Sequence, residues 1–375
     1  MILKNGLVMC DDFKLRRLDI LVEAGKIVTL GENLSGEDER DFSGKYILPG
    51  FIDTHVHGAY GTRASEKDFD LEKMASFEAR KGITAFAPTT GTNEISELAD
   101  QVENIVSLIP GSKGAKVYGI HLEGPFISEK LKGAMNAKHI TAPDIKKLEL
   151  LIKKGKGYIK MITLAPEIEG ALELIKYASD KGIYVSMGHT NATYDEAKAG
   201  INAGARGGTH TFNAMRAYNH REPGVLGAVL TDDRVKCEMI CDHVHLNPVT
   251  MEIIYKLKGA DKISIISDSG HAAGCDMKEF FVDGIKRYVV DGVIRLEDGT
   301  IAGSAMTMAE GVKNLLLSGV SICDVSKMAS KNPAETLGVY DITGSIKEGK
   351  CADFAVLDGE YNVVTAFVDG EEYKK

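Results

Sequence analysis

The spacing of apolar and polar positions changes character twice along the chain. Residues 1–47 alternate short apolar runs (MILKNGLVM, LDILVEAGKIVTLG) with turn signals such as Glu23-Ala24-Gly25-Lys26, which is the pattern of β-hairpins rather than of helices. Residues 344–373, GSIKEGKCADFAVLDGEYNVVTAFVDGEEY, repeat that texture with Asp-Gly turns. Neither end carries enough apolar residues to cover a sheet face by itself. The pattern therefore predicts one small β-sandwich domain built from 1–47 and 336–375.

Between these ends, over 48–335, short apolar runs alternate with amphipathic stretches. The runs are ILPGFIDTHVH, ITAFAPTT, KVYGIHLEG, YIKMITLAPE, IYVSMGHT, GGTHTFN, VKCEMICD and KISIISDSG; DLEKMASFEARKG, ELADQVENIVSLIP, TYDEAKAGINAGA and MAEGVKNLLLSG show helical periodicity. Eight strands alternating with helices predict an α/β fold of the TIM type, a (β/α)8 barrel. A doubly wound sheet is disfavoured because no GxGxxG follows the first strand. In such a barrel the chemistry belongs at the C-terminal ends of the strands.

Composition narrows the function classes. At 375 residues, 44% hydrophobic and 26% charged, the chain is long enough for a large core and too apolar for disorder. A net charge of -9 repels nucleic acid and anionic membranes. No apolar stretch reaches membrane-span length, and the N-terminus lacks a secretory pattern, so a cytoplasmic protein is expected. The six Cys are scattered without a CxxC pair, which favours reduced thiols. Cys237 and Cys241, followed by Asp242, His243 and His245, could hold zinc, but RVKCEMICDHVHL reads more simply as a buried strand and loop.

The strand ends carry His55, His57, Glu123, His189, His210 and Asp268. In an extended segment, His55 and His57 share a face about 6 to 7 Å apart and can close on one ion. Each residue alone has a plainer reading: a loop-capping or half-buried His, or a carboxylate paired with Arg. Together, four imidazoles and two carboxylates at five strand ends point to a metal centre for one or two divalent ions. Imidazole and carboxylate without thiolate suit Zn, Fe, Mn, Co or Ni. Such ions acidify bound water to a pKa of about 7. Asp268 is placed to take its proton and pass it to a leaving group, which is metal-assisted hydrolysis.

The segments PGFIDTHVHG, HLEGPF, GHT, THTFNAM, REPG, CDHVH, SDS and AGSAMTM, in this order and nearly end to end, resemble the N-acetylglucosamine-6-phosphate deacetylase family of the amidohydrolase superfamily. The resemblance implies removal of acetate from the 2-acetamido group of an amino sugar phosphate. It implies Glu123, His189 and His210 as the main metal site, His55 and His57 as the mark of a two-ion form, and Asp268 as general base and acid. Asn213, Ala214, Arg221 and His245 match sugar-phosphate contacts, with Arg221 reaching a neighbouring subunit's site in a homodimer. Ile301, Ala302 and Gly303 match a loop lining the sugar and acetyl pocket.

Two departures stand out. Ala134 and Met135 occupy the loop after Glu123 where the family pattern carries a His that polarises the acetamide carbonyl, and a thioether cannot donate that bond. Either the second ion or His139 would have to replace it. HGAYGTRASEKDF replaces a Gly-rich acidic segment after the first strand. A related amidohydrolase acting on another N-acetylated substrate or a cyclic amide, and an inactive sugar-phosphate binder, therefore stay open as alternatives.

Overall fold

The computed structural model describes residues 1–282 and 284–374. The predicted strands form Phe51–Val56, Ile83–Thr90, Ile120–Glu123, Ile159–Leu164, Tyr184–Met187, Gly207–Gly208, Lys236–Ile240 and Ile263–Ile266. Each pairs in parallel with the next. Their apolar runs are continuous rather than alternating because both faces are covered, as in Ile83–Thr90, where all eight residues are buried. The ring closes where the first strand meets the segment after the eighth. Asp268 N donates to His55 O and His57 N to Ser269 O, each at 2.9 Å.

The helices begin where the side chains supply caps. Asp70 accepts from Lys73 N at the start of Leu71–Arg80, and Thr193 with Glu196 forms a capping box for Tyr194–Ala203. Thr307 and Glu310 do the same for Met308–Leu317. Each cap satisfies N–H groups that the first helical turn leaves without partners. Among the described residues, no helix is long and apolar enough to cross a membrane.

The chain ends meet in a single eight-stranded sheet. Phe354–Leu357 pairs antiparallel with Tyr46–Pro49, which pairs in turn with Ile2–Met9. The far strand, Lys26–Gly31, bonds back to the segment just before Phe354, through Ile27 N to Lys350 O and Gly349 N to Ile27 O. The sheet thus curls around its own core, in which Ile20, Ile27, Ile47, Phe354 and Phe367 are fully buried.

One element departs from the barrel alternation. After the eighth strand, Glu279–Val282, Ile285–Val290, Val293–Arg295 and Ile301–Ser304 form a separate antiparallel sheet. Ile301, Ala302 and Gly303 accordingly lie on a strand, not in a loop. The reason is local: Asp291 and Gly292 both take positive φ, 52° and 76°, the geometry of a tight hairpin turn.

Candidate active site

All six strand-end ligands converge at one mouth of the barrel. Glu123 Oε1 lies 3.1 Å from His189 Nε2, 3.1 Å from His210 Nε2 and 3.3 Å from His55 Nε2. Its other oxygen is 3.0 Å from His57 Nε2. Asp268 Oδ1 lies 3.4 Å from His57 Nε2 and 3.5 Å from His55 Nε2. The donors fall into two groups, His55 with His57 and Asp268, and Glu123 with His189 and His210. His189, His210 and Asp268 hold their side chains there with backbone φ of 48°, 31° and 47°. This left-handed region is uncommon outside glycine and is retained where surrounding structure enforces it.

Every imidazole is anchored by its outer nitrogen. His57 Nδ1 meets Thr89 O at 3.1 Å, His189 Nδ1 meets Leu131 O at 2.9 Å, and His210 Nδ1 meets Asn213 O at 3.0 Å. His55 Nδ1 meets Glu238 Oε2 at 3.1 Å. A carbonyl or carboxylate at Nδ1 fixes the proton there and turns the Nε2 lone pair inward, the arrangement characteristic of metal-ligating histidine. His55 Nε2 itself is buried with no hydrogen-bond partner. The donor set therefore fits divalent cations, with Glu123 central to both groups.

The electrostatics of these side chains agree. Burial alone would raise the Glu123 pKa, yet His55, His189 and His210 hold it well below the carboxylate range. Asp268 is likewise held at about 2, with His55 and His57 outweighing its burial. Both carboxylates stay ionised, ready to ligate.

The centre opens into a cavity of about 470 Å³. Ala134, Met135, Asn213, Ala214, His245, Ile301, Ala302 and Gly303 line it together with His57, Glu123, His189, His210 and Asp268. His245 is oriented by Asp242, whose Oδ2 lies 2.6 Å from its Nδ1. Arg221 is exposed and lies outside the cavity of its own chain; neighbouring Glu222 accepts instead from the Tyr194 and Gly224 amides. His139 also lies outside the cavity lining and faces Glu94 at 3.5 Å. Cys237 and Cys241 are buried, and burial pushes Cys237 up to about 11 and Cys241 further. As protonated core thiols they form no metal group among the described residues.

Three site residues were not anticipated. His121, against the His55 ring at 4.6 Å, is held well below its ordinary pKa by burial and by the charge of His55. Glu238 supports His55. Both break otherwise apolar strands, the signal that singled out Glu123. His271 packs on Phe280 within the cavity, depressed to about 4 by burial and by Arg63 and Arg287; its loop position gave no sequence signal.

Residues 46–373 match the amidohydrolase family. The chain belongs to that family. This amidohydrolase is 34% identical over 365 residues to an N-acetylglucosamine-6-phosphate deacetylase of Lysinibacillus sphaericus, covering 96% of this chain and 94% of that protein. It is also 34% identical over 364 residues, with the same coverage, to an N-acetylgalactosamine-6-phosphate deacetylase of Escherichia coli O157:H7. A variant of the Mycobacterium smegmatis N-acetyl-D-glucosamine-6-phosphate deacetylase, solved in complex with N-acetyl-D-glucosamine-6-phosphate, superposes with a TM-score of 0.93 at 31% identity, covering 100% of this chain and 99% of that one.

Proposed function

We propose that this amidohydrolase hydrolyses the acetamide of N-acetylglucosamine 6-phosphate, releasing acetate and glucosamine 6-phosphate. The observation that carries this reading is the set of four imidazoles anchored at Nδ1, whose Nε2 atoms converge with Glu123 and Asp268 at the floor of the cavity. Divalent cations held there supply Lewis acidity, which makes water a strong nucleophile near neutral pH and polarises a carbonyl. Glu123, His189 and His210 would hold one ion, and His55 and His57 with a carboxylate would hold a second; zinc is the first ion to test.

Asp268 takes the proton of the attacking water and delivers it to the departing amine nitrogen. His245, Asn213 and Ala214 receive the sugar phosphate. Arg221, outside its own cavity, serves the site of a second subunit in a homodimer, where its guanidinium offers paired donors to phosphate. Ile301, Ala302 and Gly303 close the acetyl side. Met135 cannot donate to the amide carbonyl; a cation held by His55 and His57 would supply that polarisation instead. Residues 48–335 form the catalytic unit and 1–47 with 336–375 its β-module, in a cytoplasmic enzyme.

The test is acetate release from a panel of N-acetylated amino sugars, with and without 6-phosphate. Release confined to 6-phosphorylated sugars, fastest with the gluco isomer, is expected. A preference for the galacto isomer would reassign the sugar, and release only from unphosphorylated sugars would remove Arg221 and His245 from the site.

A further inference from the structure

Glu238 lies on the seventh barrel strand, Lys236–Ile240, and its side chain points into the barrel beneath the ligands rather than out to the helices. It is buried, as are His55 and His210. Its Oε2 lies 3.1 Å from His55 Nδ1 and also accepts from His210 N at 3.2 Å. The same carboxylate oxygen thus touches the ring of a ligand in one donor group and the backbone of a ligand in the other. The His210 amide that it accepts belongs to a residue at φ 31°. Its second oxygen, Oε1, is buried with no hydrogen-bond partner.

A carboxylate in that position is a poor stability device. Burying an ionised group with one oxygen unsatisfied is costly, and an apolar side chain would suit the strand's other positions better. What the carboxylate does uniquely is accept from His55 Nδ1. The other three ligand imidazoles use backbone carbonyls for this purpose. A carbonyl is neutral and fixed by the backbone; a carboxylate is charged and makes its imidazole a more basic ligand.

We infer that Glu238 is a positioning residue for the ion held by His55, His57 and a carboxylate. It fixes His55 as the tautomer whose Nε2 lone pair faces the centre and strengthens it as a ligand, so occupancy of that ion depends on Glu238. Its contact with the His210 amide ties the same side chain to the strained turn that presents the other group. This rests on the two-ion reading above.

The test is metal content, not turnover. Wild-type chain, Glu238→Gln and Glu238→Ala are stripped with a chelator and dialysed against graded free Zn(II), and bound metal per chain is measured by elemental analysis. Thermal unfolding of the stripped proteins checks that each variant folds. Wild type should bind two ions. In Glu238→Ala, one should bind on the order of 10- to 100-fold more weakly while the other is retained. Glu238→Gln, which keeps an acceptor without the charge, should fall between. In a His55→Ala background, Glu238→Gln should change metal content no further; a merely structural role would still show its effect there. Two ions bound with wild-type affinity in both Glu238 variants would overturn this inference alone. Fewer than two ions in wild type would overturn the two-ion reading and this inference with it.

Discussion

Cys351, Asp353 and Asp369, in the β-module, bring their donor atoms as close together as the ligands at the barrel mouth do. There, however, the cation is a side chain. Lys116 Nζ lies 2.8 Å from both oxygens of Asp353 and 2.7 Å from Asp369, and Lys26 Nζ lies 3.2 Å from Cys351 Sγ. At the barrel mouth the donors are imidazoles whose outer nitrogens are already engaged, and one inner nitrogen has no partner. Proximity of ligand atoms therefore does not by itself define a metal site. Orientation of the lone pairs, and what already neutralises the carboxylates, decide between an ion-binding centre and an ion-pair network.

Substitution in either cluster separates the two roles. Asp268→Asn should lower kcat by about 10²- to 10⁴-fold, the usual contribution of a general acid-base group, while elemental analysis still finds at least one ion per chain, held by Glu123, His189 and His210. Equal turnover would place the proton transfer elsewhere. Lys116→Met removes the cation from buried Asp353 and should lower the unfolding free energy in urea by about 3 kcal/mol, with kcat of the folded protein and its metal content unchanged. If that variant instead gains a bound ion, the two clusters differ only in occupancy.

The smallest effect concerns pH. In the metal-free chain burial opposes charge on His55 and His57, but Glu123 and Asp268 outweigh it and raise both pKa values above the ordinary imidazole value. A raised folded pKa contributes stability that is complete below the unfolded value of 6.5 and is lost as pH rises through the folded one. Metal binding runs the other way, since ligating imidazoles must be neutral. Stripped protein should therefore unfold at progressively lower temperature as pH rises above 6.5, while the gap between loaded and stripped protein widens. A gap that narrows would contradict the assignment of His55 and His57 as ligands.

Much of this architecture was legible in the residues. The strands from Phe51 to Ile266 announced themselves as unbroken apolar runs because both faces are buried, and their polar terminators marked the mouth. The hairpin sheet after Asp268 was hidden by that same expectation, although the Asp291-Gly292 and Asp298-Gly299 pairs are turn signals. Glu238 and His121 carry no strand-end mark in the sequence, because they support the ligands from within their strands, Lys236–Ile240 and Ile120–Glu123, rather than terminating them. His271 could not have been found, since its place depends on how a loop folds back over Phe280.

The backbone of His55 and that of Asp268 hydrogen-bond to each other where the first strand meets the last. The ring of strands is thus sewn shut by the very residues that furnish the centre. A nascent chain that has not yet reached Asp268 possesses neither an enclosed barrel nor the full donor set around His55 and His57, so capture of an ion by that group would report that the barrel has closed.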